Sequence, residues 1–486
     1  MRQLIINKKT KNERIALLEN GRLAEIWIND QGKETMVGNI YKGRVIRVLP
    51  GMEAAFVDFG EERNGYLHRN DLVSLDSANK GEITERRNVR HFISQGEEVI
   101  VQVVKDSNEY KGPKLSMNIE IKCPFFIYQP FGRGIYLSKK ITSSNERKRL
   151  EILGKQLCSD NGGMIFRTAA EHVDNQNLAE LFYELKERFE RQAKSKQNPS
   201  LLLGYESFVE QIIAEVSPFG FDEIVVDDAD TVTELKKTFG KYEPIPIRFY
   251  SNRENIFSYY AIEQELEKAL KKVVWLKNGG FIVIEETEAL NVIDVNTGKF
   301  SGKSAYRETV FQTNEEAAKE IVRQIRLRNL SGIILIDFID MEEEDRGRIL
   351  KLFERELEKD RIHTKIIGFT ELNILQLTRK KIRNSLSELM LVPCPACGGT
   401  GRRKSTESVA LALERKLLEF SGSDHEAILI EAEPDVCAFF QERHIKQLEK
   451  ALNMKIFVLP ADDVHGFAIR QSGTETEVVR RMTNMY

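Results

Sequence analysis

With 486 residues the chain is too long for one hydrophobic core, and three or more domains are expected. Its 72 basic and 75 acidic side chains almost cancel, which excludes a globally basic nucleic-acid binder and leaves that task to local patches. Five cysteines make no disulfide framework, the opening MRQLIINKK is too polar for a signal peptide, and no apolar run has membrane length, so a cytoplasmic protein is expected.

Residues 1–37 read as strands. RIALLENGRLAEIWI alternates on both sides of Asn20-Gly21, a favoured two-residue hairpin turn. So short a piece must join a sheet completed later in the chain. From 38 to 118, short strands between Gly, Pro and Asn turns predict a small barrel. There Phe56 and Tyr66 could stack on bases, with His68, Arg69 and Lys111 as nearby polar groups. A phenylalanine taken alone is more often core. Residues 76–91 read as a polar inserted loop. Between 119 and 200 lie strand-like PFFIYQPFGRGIYLSKKI and GGMIF, the basic helix SNERKRLEILGKQL and the amphipathic helix LAELFYELKERFERQAKSKQ. Arg167-Thr168 closes the GGMIF strand. A guanidinium fork beside a hydroxyl suits a phosphate, although most arginines sit in surface ion pairs. Residues 201–278 alternate helices and strands and end in YYAIEQELEKALKKVVWL, which reads as one long helix.

The segment 279–341 carries the chemistry. FIVIE and NVIDV read as paired strands, and GIILIDF as a third, buried because it is almost wholly apolar. Thr313 followed by Glu316 reads as a capping box. The helix it opens carries Ala317, Ala318, Ile321, Val322 and Ile325 on one face and Lys319, Arg323 and Arg326 on another. Asp294 and Asn296 share a strand face, and Asp337 ends another strand. If those strands are neighbours, two carboxylates repel unless a cation lies between them. Mg²⁺ fits: it is hard, oxygen-seeking, and commonly held by one or two carboxylates plus waters and phosphate oxygens. Strand-end aspartates also serve simply as turn caps.

Beyond Asp337, Arg379, Lys380, Lys381 and Arg383 form a basic run suited to an RNA backbone, or a solvated face. Cys394 and Cys397, followed by glycines, are half a zinc knuckle. Cys123, Cys158 and Cys437 are isolated and no histidine stands at knuckle spacing, so the simplest completion is the same pair from a second chain; a further ligand reached through the fold is the alternative. No thioredoxin-like βαβ is read around the pair, which disfavours a redox role. Residues 402–486 read as a helix, a strand, a helix and a strand.

TEALNVIDVNTGKF, TNEEAAKEIVRQIRLRNLSGIILIDFIDM and CPACGGTG together resemble the ribonuclease E/G family, over essentially the whole chain. The length suits its catalytic-only members rather than those with a long disordered tail. The resemblance implies a multidomain α/β (α+β) fold. In it an RNase H-like scaffold comes from 1–37 and 201–278, and an S1 domain of OB type from 38–118. A 5′-sensor region spans 119–200 and a DNase I-like catalytic subdomain 279–392. A zinc-link at 393–401 and a small oligomerisation domain at 402–486 complete it. The implied function is a Mg²⁺-dependent endoribonuclease that cleaves single-stranded RNA in rRNA-precursor processing or mRNA decay. Water attack would leave 5′-phosphate and 3′-hydroxyl ends, with a preference for 5′-monophosphorylated RNA. Asp294 and Asp337 are then the Mg²⁺ ligands and Asn296 their support. Phe56, Tyr66 and Lys111 hold RNA, and Arg167 and Thr168 sense the 5′-phosphate. Cys394 and Cys397 bind Zn²⁺ shared between two copies of a homodimer, with tetramers left open. Two departures stand out. Tyr66 replaces the family's frequent Phe, and His363 stands where an Arg or Lys is frequent, which weakens phosphate capture near pH 7. The rival readings are a non-catalytic RNA-binding protein, a zinc-dependent assembly protein and a DNA nuclease.

Overall fold

The computed structural model describes residues 1–29, 35–72, 89–107, 111–159, 162–194, 197–205, 207–217, 220–238, 245–298, 306–395, 397–443 and 445–484. They divide into two compact units, 1–390 and 391–486.

The first unit opens with β1 (Arg2–Asn7), β2 (Arg14–Glu19) and β3 (Arg22–Ile28), the last two joined at Asn20-Gly21 with φ of 52° and 75°. Both turn residues take the positive φ that this hairpin turn requires. Through β1, which pairs with β2, this piece joins a strand from later in the chain, as its size demands.

The barrel follows: β4 (Ile40–Leu49), β5 (Ala54–Asp58), β6 (Gly65–His68), β7 (Glu98–Lys105) and β8 (Lys114–Ser116). Neighbours run β4-β5-β6-β8-β7, and β7 closes back onto β4. Inward Val45, Val57, Leu67, Val101 and Leu115 fill it. The loop expected at 76–91 lies mostly outside the described residues.

A third sheet is built from β9 (Ile121–Lys122), β10 (Phe126–Gln129), β11 (Arg133–Leu137) and β12 (Gly162–Phe166). Helices α1 (Ser144–Leu157) and α2 (Asn175–Ala193) share its core, which is rich in phenylalanine. Then β13 (Ser200–Leu203) adds to the barrel beside β4.

Next come α3 (Phe208–Val216), β14 (Glu223–Val226), α4 (Ala229–Thr238) and β15 (Ile247–Phe249). These strands complete the first sheet in the order β15-β14-β1-β2-β3, with Gln3 opposite Glu223. Alternation sends Leu4 and Ile6 toward α3 and α4. It sends Ile5 toward α5 (Ile256–Tyr259) and α6 (Ile262–Ala269).

The long helix expected at 259–276 is corrected here. It stops near Leu270, and Val273–Trp275 is an edge strand, β16, paired with β17 (Phe281–Glu286). Two β-branched residues and a tryptophan favour the sheet once a partner strand is present.

The fourth sheet runs β16-β17-β18-β19-β21-β20, with β18 at Leu290–Asn296, β19 at Gly332–Asp337, β20 at Thr364–Phe369 and β21 at Ile374–Arg379. Helix α7 (Tyr306–Leu327) carries the chain from β18 to parallel β19, and α8 (Glu343–Leu357) follows. Both pack on one face, over Ile293, Val295, Ile334 and Ile336.

Two expectations change here. Thr313 lies inside α7, which begins at Tyr306. Its hydroxyl donates to the Thr309 carbonyl at 2.9 Å, and Glu316 instead accepts the Lys277 and Asn278 amides. The apolar face foreseen for the helix is buried throughout. Strand β19 is buried on one side only: Ile333 is exposed and Leu335 half-exposed, because no element covers the other face among the described residues. The unit ends with α9 (Leu386–Met390).

The second unit has α10 (Thr406–Leu418), β22 (Ala427–Ala432), α11 (Pro434–Arg443), α12 (Ile445–Leu452) and β23 (Lys455–Pro460). To the four elements expected it adds β24 (Phe467–Gly473) and α13 (Glu475–Thr483). Strands β22 and β23 are parallel, so β22-α11-α12-β23 is a βαβ unit.

Candidate active site

Along β18 and β19 alternate residues point to the uncovered face: Val292, Asp294 and Asn296 on one strand, Ile333, Leu335 and Asp337 on the other. The register puts Asp294 directly opposite Asp337. Paired strands lie about 4.8 Å apart, so two carboxylates share one small patch of surface. Asn296 donates its amide to Asp294 at 2.7 Å. Burial raises the Asp337 carboxyl above the ordinary aspartate value, and the charges of Asp294 and Asp340 raise it further. Among the described residues neither Asp294 nor Asp337 forms an ion pair, and no third metal-binding side chain converges with them. Hard oxygen donors, like-charge repulsion and room for water suit Mg²⁺.

The turn after Asp337 is pinned from behind. Asn314, fully buried in α7, donates to the Ile339 carbonyl at 2.8 Å and accepts the Ile339 amide at 3.1 Å. Sequence reasoning passed over this residue. Its signal was an asparagine amid the apolar face of a helix, a position that demands a hydrogen-bond partner.

On the barrel Phe56 faces Tyr66 across β5 and β6, with ring centroids 6.0 Å apart, and His68 continues the row at 6.3 Å. Phe56 and Tyr66 are half-exposed, outside the barrel core, and Lys111 is exposed. Arg69 is tied to Glu53.

Arg167 and Thr168 follow β12. Arg167 is only 9% exposed, its guanidinium donates to the Ala214 carbonyl at 2.9 Å, and burial lowers its pKa. The Thr168 hydroxyl lies 3.1 Å from that of Ser138. His363 is exposed at the start of β20.

The basic run at 379–383 is corrected. Arg379 is buried against Asp360 at 2.7 Å, Arg383 pairs with Glu215, and Lys381 pairs with Glu388. Only Lys380 of the four is exposed without a described ion pair. Arg379 and Arg383 are thus used within the fold, and the Arg383 partner lies 168 residues away in sequence.

The family model described as "Ribonuclease E/G family" matches residues 120–382, and one described as "RNase E/G, Thioredoxin-like domain" matches residues 393–471. Ribonuclease G of Escherichia coli (strain K12) is 36% identical over 445 residues, which is 89% of this chain and 91% of that protein. Ribonuclease G of Haemophilus influenzae is 36% identical over 455 residues, 91% and 93% of the two chains. Ribonuclease E of Nostoc sp. is 36% identical over 408 residues, 80% of this chain and 58% of that one. The chain belongs to the ribonuclease E/G family. It is an endoribonuclease.

In this ribonuclease E/G chain, Cys394 is exposed and Cys397 half-exposed. The Gly401 amide donates to the Cys397 sulfur at 3.2 Å and lowers that thiol's pKa. The donor set is two thiols; among the described residues no group of three or more metal-binding side chains forms. Two soft sulfurs would fill half a tetrahedral zinc site and require two more from elsewhere. No thioredoxin-like βαβ is expected around the pair from the sequence. The matched domain is described as thioredoxin-like, and its βαβ unit lies C-terminal to the cysteines rather than around them. No helix among the described residues is long and apolar enough to cross a membrane.

Proposed function

We propose that this endoribonuclease is Mg²⁺-dependent and cleaves single-stranded RNA, leaving 5′-phosphate and 3′-hydroxyl ends. The observation that carries the reading is the Asp294–Asp337 pair, opposed on a sheet face and without an ion-pair partner among the described residues. These two residues would hold the ion. When bound, Mg²⁺ polarises a phosphate oxygen and lowers the pKa of a bound water. The chain's own residues do the rest. Asn296, by donating to one Asp294 oxygen, orients that carboxylate and leaves its other oxygen to ligate. Burial and the nearby acidic charges raise the pKa of Asp337, and a bound cation would offset that repulsion. Asn314 fixes the turn that aims Asp337.

Phe56 and Tyr66 would stack on bases and Lys111 would meet the backbone. Arg167 and Thr168 would favour a 5′-monophosphate, with His363 making that preference weaker than a lysine or arginine would. Cys394 and Cys397 would share Zn²⁺ with the same pair of a second copy in a homodimer. The scaffold segments 1–37 with 201–278, the 38–118 barrel, the 119–200 sensor, the 279–392 catalytic part, the 393–401 link and the 402–486 piece are read as the working divisions. rRNA-precursor processing or mRNA decay in the cytoplasm is the setting this implies.

The test compares one single-stranded sequence as RNA and as DNA, with Mg²⁺, and maps the product ends. Cleavage of RNA alone, with 5′-phosphate products, is expected. Equal cleavage of DNA overturns the substrate assignment, and 5′-hydroxyl products overturn the departure of the 3′ oxygen from the attacked phosphate.

A further inference from the structure

We propose that Trp275 and Phe281 form a stacking seat for the base flanking the scissile phosphate. The proposal rests on the reading of Asp294 and Asp337 given above and extends it to substrate positioning.

Trp275 ends the edge strand β16 and is 68% exposed. Across the ladder it faces Phe281, with ring centroids 5.2 Å apart and planes inclined by 55°. Phe281 in turn faces Asn296. One row across the sheet therefore runs Trp275, Phe281, Asn296. The next runs Val273, Val283, Asp294, Asp337. Both rows lie on the face away from α7 and α8. With strands about 4.8 Å apart, the tryptophan backbone lies about 10 Å from that of Asn296.

A bare indole on an edge strand is a liability that proteins usually blunt. Val273, Val292 and Ile333 are also exposed on this face, and apolar patches of that kind mark binding surfaces. The occupant is argued from position. The aromatic row abuts the residues that would grip the scissile phosphate, so RNA held there lays a base within reach of the rings. Stacking on an aromatic face is tolerant of base identity and is how single strands are commonly held. A second copy of the chain is the competing occupant.

The chain has two tryptophans, and Trp27 is only 4% exposed, beneath the Arg361 guanidinium. Trp275 is therefore the accessible fluorophore. Full-length Asp294→Asn protein titrated with a short single-stranded RNA in Mg²⁺ should show saturable quenching that disappears in Asp294→Asn/Trp275→Ala. In the otherwise native enzyme, Trp275→Ala should raise KM about 5- to 100-fold with a smaller change in kcat, and Trp275→Phe should recover most of it. The melting temperature should not move, since the side chain is exposed. A KM within twofold of the native value, or no RNA-dependent quenching, overturns the proposal. Emission that instead tracks protein concentration without RNA assigns the face to a second copy and overturns it too. Cleavage that survives Asp337→Asn defeats the underlying catalytic reading; Asp337-dependent cleavage with a neutral Trp275→Ala defeats the stacking seat alone.

Discussion

The first unit treats charge in two opposite ways. On the outer face of β18 and β19, Asp294 and Asp337 confront each other and no cation answers them among the described residues. Around the N-terminal hairpin every major charge is answered. Arg326 of α7 bonds Glu19 and Glu25, Arg361 bonds Glu25 and Glu215, and Arg383 takes the other oxygen of Glu215. Burial alone would raise Glu25, but Arg361 and Arg326 outweigh it and hold the carboxyl below the ordinary range. A buried charge is tolerable only when paired, whereas an exposed like-charge pair leaves an opening for an ion. The opposed acids make a site and the paired cluster makes a joint.

The sharpest break in that contrast comes from the acids. Asp294→Asn should lower kcat by roughly 10³-fold or more, with the fold intact, as measured by single-turnover cleavage beside a thermal melt. A buried, paired charge such as Arg379 with Asp360 should respond the other way. Asp360→Ala strands the buried Arg379 and should cost about 3–5 kcal/mol in urea unfolding. An unchanged urea midpoint would show that this buried pair does not support the fold.

Phe56→Ala on the barrel should weaken RNA binding by about 1–3 kcal/mol at fixed salt and leave stability nearly untouched, since the ring lies outside the core. Binding equal to native would remove the barrel from the RNA path.

The smallest effect concerns pH. An acid whose pKa is higher folded than unfolded binds its proton more tightly in the native state. Asp337's contribution is therefore complete below its unfolded value near 3.8 and is lost as pH climbs through the raised folded value. In metal-free protein, Asp337→Asn should melt a degree or two higher at pH 7, and lose that advantage near pH 3.5. A lower melting temperature at pH 7 would mean that the carboxylate is paired after all.

How much of this could be read beforehand depends on the range of the interaction. The Asn20-Gly21 hairpin, the barrel, the paired FIVIE and NVIDV strands and the buried stripe of α7 follow local patterns, and they stand in the structure as read. Strand alternation also placed Asp294 and Asn296 on one face. Whether anything covers that face is a tertiary fact, which is why the apolar run of β19 suggested burial on both sides. The roles of Arg379 and Arg383 were equally hidden, because Glu215 lies 168 residues from Arg383. Thr313 misled for a local reason: its spacing to Glu316 mimics a cap, yet the helix had already begun at Tyr306. Trp275 was missed because a helical pattern was extended through a strand whose partner decides it.

The most direct test of the central claim is cleavage of one short 5′-monophosphorylated RNA under three conditions: native protein with Mg²⁺, native protein with EDTA, and Asp337→Asn with Mg²⁺. Product in the first alone is the predicted result. Equal product in all three would contradict the assignment of Asp294 and Asp337 to a shared cation.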